Sequence, residues 1–125
     1  MSVDLTVGTA VGFHVKESVL KEIFDYEDIY DLADTVLSKH YDLLSFDIAG
    51  TYYEDWDNEL VVSVKRFHQV DDVHNTPPGI LESEPISLGK LTAQEVEQIN
   101  GAFDDLMNVR DNHPEITSFT YTLWH

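Results

Sequence analysis

Val3-Asp4-Leu5-Thr6-Val7-Gly8-Thr9-Ala10-Val11-Gly12-Phe13-His14-Val15 is the stretch from which the fold is read. Val3, Leu5, Val7, Val11, Phe13 and Val15 share one parity; Asp4, Thr6, Gly8, Ala10, Gly12 and His14 share the other. Side chains leave a strand on alternate sides, so a period of two marks a strand with one buried face. Gly8 and Gly12 signal a bend, a bulge or the close approach of another group. A hairpin turning at Gly8-Thr9 is the competing reading.

Outward from this strand the period changes. Val19, Leu20, Ile23, Tyr26, Tyr30, Ala33, Val36 and Leu37 recur every three to four residues, which predicts a helix over 17–39. Asp25 could cap a fresh start within it, giving a kink or a split. Alternation returns over 43–53, with Leu44, Phe46, Ile48 and Tyr52 on one side. Leu60-Val61-Val62-Ser63-Val64 is nearly apolar on both parities, as a central strand reads when both of its faces are covered. The polar run Glu54-Asp55-Trp56-Asp57-Asn58-Glu59 suits a hairpin connection between the two.

Residues 71–91 read as an irregular loop, with Pro77-Pro78-Gly79 a turn signal and Pro85 excluding a central strand. Thr92-Ala93-Gln94-Glu95 is a capping box, and Val96, Ile99, Phe103, Leu106 and Met107 form the apolar face of the helix it launches. Asn112 and Pro114 mark its end, and alternation resumes from Ile116 to Trp124. The order strand, helix, strand, strand, helix, strand predicts one α+β domain over 1–125. Its layout is a ferredoxin-like split β-α-β-β-α-β: a four-stranded antiparallel sheet with two helices on one face.

The charge balance is the strongest functional signal. Twenty-four acidic residues oppose seven basic ones, for a formal net charge of -17. Such a surface repels phosphate and anionic headgroups, so direct nucleic-acid binding and membrane association are disfavoured. The core is not sacrificed: 42% of residues are apolar, with two Trp, six Tyr and six Phe. Cysteine is absent, which excludes disulfides and thiolate chemistry. The start of the chain lacks the basic and apolar run of a secretory signal. The expectation is a cytoplasmic protein, in the host cytoplasm if phage-encoded.

Glu27, Asp31 and Asp34 recur at helical spacing, with Asp28 beside them, which lines carboxylates along one flank. Asp55, Asp57 and Glu59 on the hairpin, and Asp104 and Asp105 on the last helix, add to the set. These nine residues are the candidate partner-binding face. A carboxylate row can stand in for a phosphate row, so the expected partner is a protein with a basic, nucleic-acid-binding surface. The expected role is an inhibitor acting by nucleic-acid mimicry. The alternatives are a homo-oligomeric accessory module, with Trp124 at a sheet surface and a homodimer as its simplest form, and a small ligand-binding domain or enzyme.

Other chemistry finds little footing in the sequence. Asp55, Asp57 and Glu59 begin like a calcium loop, but Leu60 and Arg66 stand where its glycine and final glutamate belong. His68, Asp71, Asp72 and His74 cluster without the spacing of a metal centre, and neither metal nor cofactor is expected. Ser45 and Ser63 sit in strands without a nucleophile elbow, so no catalytic residue is assigned and the reading is of a non-enzyme.

Overall fold

A computed structural model describes residues 5–38, 40–50, 58–72, 80–85, 88–108 and 113–124. The chain is α+β. Strand β1 (Leu5–Lys16) is followed by helices α1 (Glu17–Ile23) and α2 (Ile29–Ala33), the latter extended by a π-helical turn, Asp34–Ser38. Strands β2 (Leu44–Ala49), β3 (Glu59–Val64), β4 (Gln69–Asp72) and β5 (Ile80–Pro85) come next, then helix α3 (Ala93–Met107) and strand β6 (Thr117–Trp124). The sheet order is β2-β3-β1-β6-β5, with β4 also on β1, and every pairing described is antiparallel.

The opening alternation is one unbroken strand, so the hairpin at Gly8-Thr9 does not form. On one side β1 pairs with β6 over eight residue pairs, from Leu5↔Trp124 to Gly12↔Thr117. On the other side it is too long for β3, which pairs only from Gly12 to Lys16. The rest of that edge is taken by β4, from Thr6 to Thr9. A 3-10 turn of three residues, Lys65–Phe67, separates the two partners. At this break the Val11 N–H bonds to the Ser63 hydroxyl at 3.0 Å, and that hydroxyl donates to the Val64 carbonyl. Ser63, the one polar residue in an otherwise apolar run, thus stands in for a missing ladder bond.

Four strands were expected, and the sheet has more. Part of the supposed loop at 71–91 is strand: β4 reaches Asp72 and β5 spans Ile80–Pro85. Pro85 is compatible with this because β5 is the outermost strand, where a missing N–H costs no ladder bond.

The helix predicted over 17–39 is also divided. α1 stops at Ile23, and Phe24 is extended. The restart is capped by Asp28 and not by Asp25: an Asp28 side-chain oxygen accepts the Tyr30 N–H at 2.9 Å. The expected capping box is present, with Thr92 accepting from the Glu95 N–H and Glu95 from the Thr92 N–H. Its helix ends earlier than Asn112, at Asn108, which adopts the left-handed conformation that often closes a helix.

One apolar core fills the space between sheet and helices. Val11, Phe13 and Val15 of β1 meet Leu44 and Ile48 of β2 and Leu60, Val62 and Val64 of β3. Leu20, Ile29, Leu32 and Leu37 close it from the first helical segment, and Ile99, Ala102 and Leu106 from α3. A smaller buried cluster of Ala10, Ala49, Val61, Phe119 and Tyr121 lies apart from it, on the opposite face of the sheet. No helix among the described residues is long and apolar enough to cross a membrane.

Candidate functional site

The face of the sheet away from the helices carries a connected set of polar side chains. On β2, Leu44 and Ile48 point into the main core, so Ser45 and Asp47 point away from it. On β6, Phe119 and Tyr121 share one parity and both lie in the smaller cluster. His68 arrives by the 3-10 turn, its N–H bonded to the Lys65 carbonyl at 3.1 Å.

These elements converge because the sheet curls. β2 and β6 are three strand intervals apart, about 14 Å across a flat sheet. Yet the Tyr121 hydroxyl donates to Asp47 Oδ2 at 3.0 Å, and the two strands approach one another across this face. Gly8 makes room for the ring. A Cβ at Gly8 would lie 2.2 Å from Tyr121 Cζ, so only glycine lets the phenol lie over β1.

Four side chains then form one chain of hydrogen bonds. Ser45 Oγ is 2.9 Å from His68 Nδ1, His68 Nε2 is 2.5 Å from the Tyr121 oxygen, and Tyr121 bonds to Asp47. The other Asp47 oxygen accepts the Ile48 N–H at 2.9 Å, which fixes the carboxylate. Donor and acceptor counting sets the direction. A carboxylate only accepts, so Tyr121 gives it its one proton and must accept from His68 Nε2–H. A neutral imidazole has a single N–H, so Nδ1 accepts and Ser45 donates.

The electrostatics agree with that direction. Burial pushes the His68 imidazole below its ordinary value, against a smaller opposing pull from Asp47. His68 is therefore neutral at pH 7. Burial raises the Tyr121 phenol far above its ordinary value, helped by the Asp47 charge and hydrogen bond, so it keeps its proton.

The row continues along the sheet. Phe119 sits between Tyr121, at 6.5 Å between ring centres, and His14, at 4.9 Å. His14 Nδ1 lies 2.9 Å from Glu59 Oε1. At the free edge of β2, Ser45 also lines a cleft of about 370 Å³ with Leu37, Leu44, Phe46, Asp42 and Lys65. A second cleft, of about 500 Å³, lies between α3 and the turn before β2. Its polar groups bond to one another: Gln98 to Asp42 and the Leu43 N–H, with Tyr41 at its rim donating to Asp105.

The structure describes seven of the nine acidic residues singled out from the sequence. Glu27, Asp28, Asp31 and Asp34 are exposed within a short stretch ending in α2 and its π-helical extension, with Asp28 capping α2. Glu59, Asp104 and Asp105 are held by neighbours from elsewhere in the fold. Glu59 faces His14, Asp104 lies 2.6 Å from His113, and Asp105 accepts from Tyr41. Asp55 and Asp57 lie outside the described residues, as do the side chain of Trp124 and the whole of His74. Of the group His68, Asp71, Asp72 and His74, His68 is held by Ser45 and Tyr121, and the side chains of Asp71 and Asp72 lie outside the described set. Among the described residues no group of three or more His, Cys, Asp or Glu could hold a metal ion.

Sequence reading missed the Ser45–His68–Tyr121–Asp47 chain. Ser45 was passed over for want of a nucleophile elbow and His68 was grouped with its sequence neighbours. The one usable signal was Gly8, whose place in the alternation does imply that something lies against it. Compared with known proteins, the chain matches no family model, and neither a curated protein nor a solved structure matches it.

Proposed function

We propose that this is an acidic interaction protein that docks on the basic, nucleic-acid-binding surface of another protein through the exposed flank of α2. The observation that carries the reading is the exposure of Glu27, Asp28, Asp31 and Asp34 together, on a chain of net charge -17. Asp31 and Asp34, three residues apart in the helical segment, with Asp28 at its N-cap and Glu27 just before it, offer lysine and arginine side chains a cluster of charge-assisted partners. The excess of negative charge steers a basic partner from a distance. Asp104 and Asp105 contribute charge to that field.

For the scaffold we propose the split β-α-β-β-α-β layout, decorated by β4 and β5. What supports it is the run β2-β3-β1-β6, with α1 and α2 between β1 and β2 and α3 before β6. In this arrangement the helices share one side of the sheet, and the docking residues lie at α2 and its flanks.

The test is competitive. A panel of basic nucleic-acid-binding proteins is assayed for displacement of duplex by this protein across a range of salt. Displacement that weakens steeply with salt is expected. The triple variant Glu27→Gln/Asp31→Asn/Asp34→Asn should fold as the wild type does and associate about tenfold more slowly, since rim charges act mainly on association. Displacement by the triple variant at the wild-type rate, or none by either protein at low salt, would reject the reading.

A further inference from the structure

We propose that Ser45 is a nucleophile, with His68 as its general base, that accepts an acyl group from a small ester with an apolar acyl chain. This activity does not use the carboxylates of the docking flank: its hydrogen-bond chain lies on the opposite face of the sheet, and its cleft at the free edge of β2.

Three observations carry it. The first is the direction of the hydrogen bonds. Ser45 donates to His68 Nδ1 at 2.9 Å, as a hydroxyl must if the imidazole is to take its proton. The second is the support behind the base. His68 Nε2–H is held by Tyr121, which is held by Asp47, which is itself held by the Ile48 N–H. This is the nucleophile, base and orienting acid of a hydrolytic triad, with a phenol placed between base and acid. The third is access. Ser45 is only half-buried on the edge strand β2 and borders the cleft there, whose apolar lining residues Leu37, Leu44 and Phe46 lie on the helix side of that edge. Lys65 lines the same cleft, with its ammonium bonded to the Asp42 carbonyl at 3.1 Å.

The step balances without any further reactant. Ser45 Oγ forms a bond to the ester carbonyl carbon as its proton passes to His68 Nδ1. The carbon–alkoxide bond then breaks, and the leaving alkoxide takes that proton from His68 to depart as the alcohol. Water attacks the acyl-Ser45 by the same route in reverse, releasing the carboxylic acid. When His68 takes the proton, the charge that forms is shared along Nε2–H to Tyr121 and Asp47. Tyr121 and Asp47 are therefore positioning residues, and Ser45 and His68 are the catalytic ones. A serine and a histidine that served only to fill this face would share the distances but would gain nothing from an adjoining cleft.

The experiment uses the full chain and an alkyl fluorophosphonate, which traps activated serines by forming a P–O bond and releasing fluoride. The adduct is located by peptide mass spectrometry on the wild-type protein, so the result does not depend on any variant folding. One adduct, on Ser45, is expected, together with slow hydrolysis of p-nitrophenyl butyrate that the adduct abolishes. Ser45→Ala should remove both, whereas Ser118→Ala, at an exposed strand position, should change neither. His68→Gln should slow adduct formation at least 100-fold, the usual worth of a general base. Tyr121→Phe should lower the maximal trapping rate about tenfold while leaving the reagent's half-saturation concentration unchanged. No adduct on folded wild-type protein, an adduct on another serine, or equal trapping by folded His68→Gln protein would overturn the proposal.

Discussion

Beneath the helices, Val11, Phe13 and Val15 of β1 meet Leu60, Val62 and Val64 of β3; on the reverse of the same two strands lie Gly8, Ala10, His14, Val61 and Ser63. The first set is interchangeable in kind: branched or aromatic residues whose task is to exclude water. The second set is less so, because three of its members answer to particular neighbours. Gly8 admits the Tyr121 ring, Ser63 bonds to the Val11 N–H, and His14 meets Glu59. One face supplies stability through area, and the other supplies geometry. A sheet with both faces covered can hold polar side chains in fixed register only if the first face stabilises the whole.

The comparison predicts different costs for comparable damage. Leu60 is fully buried in the main core. Leu60→Ala removes buried methyl groups and leaves a cavity, so chemical denaturation should show a loss of about 2–5 kcal/mol. If folded protein remains, trapping at Ser45 should persist, because Leu60 lies in the main core and the hydrogen-bond chain on the reverse face. Gly8→Ala works in the opposite sense. Its added methyl would meet the Tyr121 ring, and overpacking of this kind costs about 1–3 kcal/mol. The smaller loss should nevertheless abolish trapping, since Tyr121 must swing off His68 to accommodate it. Equal sensitivity of stability and trapping to both substitutions would erase the distinction between the faces.

The two faces also differ in how far they could be read from sequence. The main core announced itself by period: alternation in β1, a doubly apolar β3 and helical spacing from Val19 onward are local signals. The edges did not. β4 is four residues long, and it exists because β1 outruns β3; neither fact is written within residues 69–72. The helix restarts at Asp28 because its side chain satisfies the Tyr30 N–H, and Asp25 offers the same chemistry on paper. The polar face was the least legible. Ser45 lies 23 residues from His68, and His68 lies 53 from Tyr121, so only the curl of the sheet unites them. In a chain with 24 acidic residues, Asp47 could not be told apart from the rest by its type.

The smallest effect separates the faces by pH. Glu95 belongs to the helix side: its carboxylate takes two bonds from the Arg66 guanidinium, at 2.8 and 3.1 Å, and another from the Thr92 N–H. Arg66 foremost, and then Thr92, hold Glu95 down to about 2, from an ordinary 4.5. A carboxylate lowered on folding stabilises the native state fully above its unfolded value, and that contribution drains away as pH falls from about 4.5 toward 2. His68 belongs to the reverse face, and burial lowers it from an ordinary 6.5. Below 6.5 the unfolded chain binds that proton more readily than the native one, so the His68 contribution is lost at a higher pH than that of Glu95. Thermal melting from pH 8 to pH 2 should therefore show two separate differences from the variants. Wild type and His68→Gln should converge below pH 6.5, whereas wild type and Glu95→Gln should converge only below pH 4.5. A wild-type and His68→Gln pair that stays parallel through pH 5 would mean that burial does not lower the His68 imidazole, and the neutral state of the Ser45–His68 bond would lose that support.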